Sequence, residues 1–344
     1  MKGVSVYGPE TSGEDMESMK RLSLWITTLL AVCLLGSAVA DHEVIPTVEE
    51  SFAVTPREEF YTMVEGVRYA VSYQDPTLEI HISEGNYEGT NWTAARIKIA
   101  HPAQLRTAMY KDRYGVGGSS GEHVTSFAKR KNAVFAINDD WFMSEYRVNA
   151  GCVIRQGVTY RMRCDQSGNV YDILVIDDQG DFHVFPHATN SDIENFEGNI
   201  VNAFVFGPVL VKDYEAQPVT ENHGMGAFKA AQRMAIGQIG PLEYICVCSE
   251  GPEDPDAQGR TNTQGLTLEN FGKLVASFGD VKVCYNLDGG SSSTMVFRGL
   301  DRRGKDQLYT KINAPKNPKV RYAGGCIYFT SAWVPDDAEG TANE

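Results

Sequence analysis

Val281-Lys-Val-Cys-Tyr-Asn-Leu-Asp288-Gly289-Gly290-Ser291-Ser292-Ser293-Thr294-Met-Val-Phe297 is the stretch on which the reading of this chain turns. Its first half is an apolar run of strand length, and Thr294 to Phe297 forms a second one. A carboxylate, two glycines and three serines stand between them. Immediately upstream, Leu268, Phe271, Leu274, Val275 and Phe278 recur on one helical face. Thr267 is placed to cap that helix and Gly279 to stop it. The segment therefore predicts a helix, a buried strand and a polar strand end. Side chains just past the end of a core strand are held rigidly while facing solvent, where sites of layered folds tend to sit.

The same arrangement occurs once more. Val124, Phe127 and Ala128 give a shorter helix over 122–130, followed by an apolar strand over 133–137 and then Asn138-Asp139-Asp140-Trp141-Phe142. Further strands are predicted at 67–72, 94–99, 203–206, 234–238, 244–248 and 325–329. The runs 171–176 and 182–185, joined by Asp177-Asp178-Gln179-Gly180, predict a hairpin. There is no fixed-period repeat and no low-complexity break between residues 57 and 333. The expected fold is α+β, a single domain with a mixed or antiparallel β-sheet core flanked by a few helices.

Three motifs carry possible chemistry. In the first, Asp288 ends a buried strand and Gly289 and Gly290 let the backbone turn and approach a ligand closely. The N–H groups and hydroxyls of Ser291, Ser292, Ser293 and Thr294 suit anionic oxygens. The same residues equally describe a Gly/Ser hairpin turn with Asp288 solvated. In the second, Asn138, Asp139 and Asp140 stand beside Trp141 and Phe142, carboxylates next to aromatic faces, as sugar recognition needs. Asn and Asp also favour such a turn for backbone reasons alone. In the third, Gln232-Arg233-Met-Ala-Ile-Gly237 opens a strand with a guanidinium that can reach a phosphate bidentately or sit in a surface ion pair.

In this order and spacing the motifs resemble the phosphodiester glycosidase family. The resemblance rests on the stretch from Asn286 to Met295, on the Asn138-Asp139-Asp140-Trp141-Phe142 motif, on Arg233-Met-Ala-Ile-Gly237, on the helix before the Asp288 strand, and on the closing segment from Asn313 to Phe329. It implies hydrolysis of a sugar-phosphate diester at the bond between the anomeric carbon and the phosphate oxygen. A phosphate leaves as a stabilised anion, so such a site needs donors for the phosphate and a carboxylate on the sugar side. Under that reading Asp288 is the first carboxylate and Asp140 the second, Asn138 orients a hydroxyl, and Arg233 with the Gly289-Gly290-Ser291 backbone receives the phosphate. Three departures bear on substrate choice. Ser291 replaces a third glycine, Asp139 replaces a glycine, and Ser249-Glu250-Gly251 stands in place of Asp-Gly-Arg, with Arg260 the nearest arginine and Glu250 a further candidate. Two other classes fit the same residues: a glycan-binding protein of this fold without turnover, and a metal-dependent phosphoesterase that attacks phosphorus.

Composition limits the partners. The 344 residues carry a formal net charge of −14, which disfavours nucleic acid and anionic membrane. The substrate is expected to be a sugar-phosphate diester or a phosphate-bearing glycan. No cofactor is required by this reading; a calcium ion on carboxylates such as Asp139 and Asp140 is compatible with the sequence, though no motif supports it. Lys20 and Arg21, the uncharged run 22–36 and Ala38-Val39-Ala40 form a secretory signal pattern over 1–40, with Met19 a candidate start. The same run retained would be a membrane anchor. Export, a linker over 41–56, a catalytic domain over 57–333 and a polar tail over 334–344 are the expected organisation. Of the seven cysteines, Cys152 and Cys164 are the best candidates for a disulfide, and the rest of the domain cysteines read as buried thiols. Asn91-Trp92-Thr93 is a glycosylation sequon.

Overall fold

The computed structural model describes residues 58–65, 69–114, 121–140, 151–165, 171–220, 226–251, 264–298, 309–313 and 321–333. The signal segment, the 41–56 linker, the 334–344 tail, Trp141, Phe142 and Arg260 lie outside the described residues.

Apolar strands that read as continuous runs need cover on both faces, and the fold supplies it with three sheets. The first has nine strands, in the order Tyr61–Thr62, Ser72–Gln74, Leu78–Tyr87, Thr90–Ile99, Glu243–Ser249, Arg233–Gly240, Val283–Asn286, Val209–Lys212 and Glu215–Ala216. The second orders Phe182–Phe185, Ile173–Asp177, Ile200–Val205, Gly151–Arg155 and Val158–Arg163. The third orders Tyr309–Lys311, Met295–Arg298, Phe135–Asn138, Gly325–Phe329 and Leu105–Met109. The strand pairings in all three sheets are antiparallel, and the described residues belong to one compact unit.

Alternate residues of one strand serve different layers. Met234 and Ile236 face a central core shared with Phe135, Ile137 and Phe329 of the third sheet and Leu174 and Phe204 of the second. Ala235 faces the other way, toward helix Leu268–Ala276. That helix forms as its sequence predicts: the Thr267 hydroxyl accepts the Asn270 N–H at 3.2 Å, a cap worth about 1 kcal/mol. Leu268, Phe271, Leu274 and Val275 are buried against Leu210, Val247 and Cys284, and Gly279 takes φ +83° after the last turn. The second helix, Val124–Arg130, buries Val124, Phe127 and Ala128 on the outer face of the third sheet.

The 173–185 hairpin has the expected register, with Phe182 opposite Ile176 and Phe185 opposite Ile173. Two expectations change. The 67–72 strand is displaced to Ser72–Gln74, where it pairs with Leu78–Tyr87. Cys152 and Cys164 are both free buried thiols. Cys152 faces Met162 across the hairpin, so Cys164 lies beyond its direct partner, and both sulfurs pack into an apolar cluster with Val153 and Ile173.

Candidate functional site

The polar stretch 287–294 crosses from the first sheet to the third, because strand Val283–Asn286 belongs to one and Met295–Arg298 to the other. The crossing is fixed at both ends by backbone bonds. The Leu287 N–H donates to the Met234 carbonyl at 2.8 Å and the Gly290 N–H to the Gln232 carbonyl at 2.8 Å. Both glycines have a conformational reason to be there. A Cβ on Gly289 would stand 2.8 Å from the Gln232 oxygen, and Gly290 has φ +59° at the head of the short turn Gly290–Ser292.

Asn138 holds the crossing to the neighbouring motif. Its Oδ1 accepts the Thr294 N–H at 2.9 Å, and its Nδ2 donates to the Asp288 carbonyl at 2.8 Å and the Asp139 carbonyl at 3.2 Å. The Asp288 N–H in turn donates to the Asp139 carbonyl at 3.3 Å. The two motifs singled out in the sequence are thus brought together, with Asn138 as the clamp between them. An amide already bound to three backbone groups is not placed to orient a substrate hydroxyl.

Asp288 is half-buried at this junction. Burial pushes its carboxyl up to about 6, opposed by the Ser292 hydroxyl, the Arg321 charge and the Gly289 N–H, while the Asp140 charge adds to the rise. Arg321, exposed just before strand Gly325–Phe329, places Nη1 3.5 Å from Ser292 Oγ. Ser293 Oγ is buried and has no hydrogen-bond partner among the described residues. Beneath the turn, Asn313 donates to the Ser293 carbonyl at 3.0 Å and accepts the Met295 N–H at 2.7 Å. Thr294 is buried, with its hydroxyl on the Ser292 carbonyl at 3.0 Å. On the adjoining strand, burial lowers the Lys311 ammonium to about 8.

Asp140 and Arg233 have other company. Asp140 is fully buried: Oδ1 pairs with the Arg155 guanidinium at 2.5 Å and Oδ2 accepts the Val205 N–H at 2.7 Å. It anchors the end of strand Phe135–Asn138 to the second sheet. Asp139 is equally buried, with Oδ2 3.6 Å from Arg155 Nη2, and its carboxyl is held well above the usual range by burial and by Asp140. The cation beside this carboxylate pair is Arg155. Among the described residues no group of three or more His, Cys, Asp or Glu is arranged to hold a metal ion.

Arg233 turns toward the helix side of the first sheet. Its Nε donates to the Leu266 carbonyl at 3.0 Å and its Nη2 to the carbonyls of Gly226 and Lys229 at 2.9 and 2.6 Å. Burial alone lowers it, to about 10. The Arg233 guanidinium is thus taken up by backbone carbonyls, although its Cα lies close to Gly289, 3.9 Å from where a Cβ there would stand. Glu250 accepts from the Asn91 amide at 3.2 Å, while its own N–H donates to the Asn91 carbonyl at 2.8 Å. The sequon asparagine is consequently engaged within the fold. Arg321 is the cation the sequence reading passed over; it lies inside the quoted closing segment, a lone basic residue ahead of an apolar strand.

The phosphodiester glycosidase family model matches residues 131–330, a span that contains Asn138, Asp288 and Arg321. A curated relative, the SPbeta prophage-derived uncharacterized protein YomE of Bacillus subtilis (strain 168), is 28% identical over 184 residues, 53% of this chain and 27% of that protein. The chain thus spans about a quarter of that relative's length. Among solved structures, the zebrafish N-acetylglucosamine-1-phosphodiester alpha-N-acetylglucosaminidase catalytic domain, auto-inhibited by its pro-peptide, superimposes with a TM-score of 0.56. The two are 20% identical, over 75% of this chain and 84% of that one. A hypothetical protein from Synechocystis gives a TM-score of 0.46 at 14% identity, over 73% of this chain and 62% of that one. Since the family match takes in more than half of the 344 residues and both polar crossing motifs, the chain belongs to the phosphodiester glycosidase family.

Proposed function

We propose that this enzyme hydrolyses a sugar-phosphate diester at the bond between the anomeric carbon and the phosphate oxygen, with Asp288 as the carboxylate that acts on the sugar side. The observation that supports this most is the constellation of Asp288, the Ser292 hydroxyl and Arg321 at the one point where the two polar motifs meet. A carboxyl poised near 6 is ionised at neutral pH yet remains basic enough to accept a proton from water, or to attack the anomeric carbon itself. Arg321 supplies the fixed positive charge a phosphate needs, and with the Ser291 and Ser292 hydroxyls forms the anion side of the site. Arg233 and Asn138 then act through structure, one holding the loop around Gly226 and the other clamping the crossing. The substrate class follows the family resemblance, and the zebrafish enzyme named above acts on a diester of that kind.

Export is part of the same proposal, supported by the charged, apolar and small-residue pattern over 1–40. The mature protein is then expected to begin at Asp41.

The test is a screen of purified protein against aryl and sugar-phosphate diesters in heavy-oxygen water, with and without chelator. Label in the released sugar, at equal rates with chelator, is the expected outcome. Label in the phosphate, or loss of turnover with chelator, would point instead to a metal-dependent phosphoesterase. Glycan binding without any turnover would make the protein a binding module.

A further inference from the structure

A recess whose lining does not include Asp288 lies between the edge strand Leu105–Met109 of the third sheet and the hairpin of Gly151–Arg155 with Val158–Arg163 in the second. Its volume is about 530 Å³, within the roughly 300–1,000 Å³ of small-molecule sites. We propose that this groove binds a neutral glycan, independently of the Asp288 site.

The argument starts from its charges. Each cation that lines it already has a partner: Arg155 pairs with Asp140, Lys131 Nζ lies 2.9 Å from Asp112, and Arg106 Nε donates to the Tyr328 hydroxyl at 3.3 Å. Asp177 is likewise held by His183 at 2.8 Å. Arg106, Lys131 and Arg155 are matched by Asp112, Asp177 and Asp178 on the same lining, so the recess offers an anionic ligand no net positive charge.

The neutral polar groups are arranged differently. Thr107 Oγ1 donates to Asn202 Oδ1 at 2.9 Å, Gln156 Nε2 donates to Thr107 Oγ1 at 3.2 Å, and the Gln156 N–H donates to Asn202 Oδ1 at 3.2 Å. This ring of bonds fixes both amides. It leaves Asn202 Nδ2 as a donor and Gln156 Oε1 as an acceptor with no protein partner among the described residues. Both residues line the groove. A sugar hydroxyl donates and accepts at once, and an oriented amide donor beside an amide acceptor meets both needs without charge. Tyr160 lines the same recess, its ring stacked on Tyr114 with centroids 5.1 Å apart and planes at 23°. A supported aromatic face is what the C–H surface of a pyranose packs against.

Titration calorimetry of the full chain with N,N′-diacetylchitobiose and with α-mannobiose, and with glucose 6-phosphate as the charged probe, tests the assignment. At least one neutral disaccharide is expected to bind. Tyr160→Ala and Gln156→Gly should each weaken it about tenfold or more. The second variant removes the amide side chain while suiting the positive φ of 51° at that turn, so it guards against loss of fold. Asp288→Asn should leave this binding unchanged, and Tyr160→Ala should leave diester hydrolysis unchanged. Failure of both disaccharides to bind, binding of glucose 6-phosphate alone, or binding lost in Asp288→Asn but kept in Tyr160→Ala would overturn the proposal. None of those results depends on whether the protein cleaves diesters.

Discussion

At Asp288, burial and chemistry pull in opposite directions, and both can be measured. Its carboxyl is pushed up to about 6, against an ordinary value near 3.8. The folded protein therefore holds this proton more tightly than the unfolded chain does. Its contribution lowers stability as pH rises from about 4 to about 6, and the penalty stays in place above that. Asp288→Asn removes the charge and keeps the size, so it should stabilise the protein at pH 7 by on the order of 1–3 kcal/mol, read from denaturant midpoints. The same change should lower diester turnover about a hundred- to ten-thousandfold. In the wild type, turnover should fall about tenfold per pH unit below about 6, as the carboxylate is protonated. A variant that loses stability while keeping its rate would take Asp288 out of the reaction. The two arginines separate in the same way. Arg321→Lys keeps a charge but loses the planar fork, and should raise KM for the diester with little change in stability. Arg233→Lys should leave carbonyls of Gly226, Lys229 or Leu266 without a donor, and cost about 1–3 kcal/mol of stability while KM stays near that of the wild type.

Among the elements, the two that place the site owe their position to long-range bonds. Strand Phe135–Asn138 ends in a buried ion pair: Asp140 faces Arg155, which comes from the second sheet and lies over the Phe204 ring at 4.2 Å. Breaking such a pair from one side leaves a buried charge uncompensated, which typically costs about 3–5 kcal/mol. Asp140→Ala should therefore unfold at markedly lower denaturant, whereas Asp140→Leu combined with Arg155→Met should recover much of the loss. If Asp140→Ala instead kept its midpoint and lost turnover, Asp140 would regain the catalytic role its sequence context implied. The helices were legible because their signals are local. Thr267, the apolar face of Leu268–Ala276 and Gly279 lie within one short segment and need no partner to be recognised. Strands Leu105–Met109 and Val158–Arg163 were not legible, since Arg106, Thr107 and Arg161 interrupt their apolar pattern. Those polar groups are buried only because distant residues, Tyr328 and Asn202 among them, meet them in the fold.

For the whole molecule, the α+β class and the antiparallel core followed from alternating and continuous apolar runs, while the division into three sheets did not. Division depends on which strands pair, and Val283–Asn286 and Met295–Arg298 are neighbours in sequence yet belong to different sheets. The site was legible to the extent that it lies at that division: Asp288 and Asn138 were found from strand ends, whereas Arg321 reaches Ser292 across a separation no local pattern reports. The cysteines follow the same logic, since Cys152 and Cys164 looked pairable only while the hairpin register was unknown. Cys152, Cys164, Cys246, Cys248, Cys284 and Cys326 are all buried free thiols. Burial pushes the Cys152 thiol up to about 12 and the Cys164 thiol up to about 11, so neither is ionised at pH 8. Since the thiolate is the reactive form, these six sites should resist iodoacetamide in the native protein at that pH. In denaturant all six should alkylate without prior reduction, as intact-mass and peptide analysis would show. Reductant should leave the unfolding midpoint where it is, because no cross-link between Cys152 and Cys164 constrains the unfolded chain. Alkylation of that pair only after reduction would restore the disulfide, and with it a link within the hairpin that lines the groove of Gln156 and Tyr160.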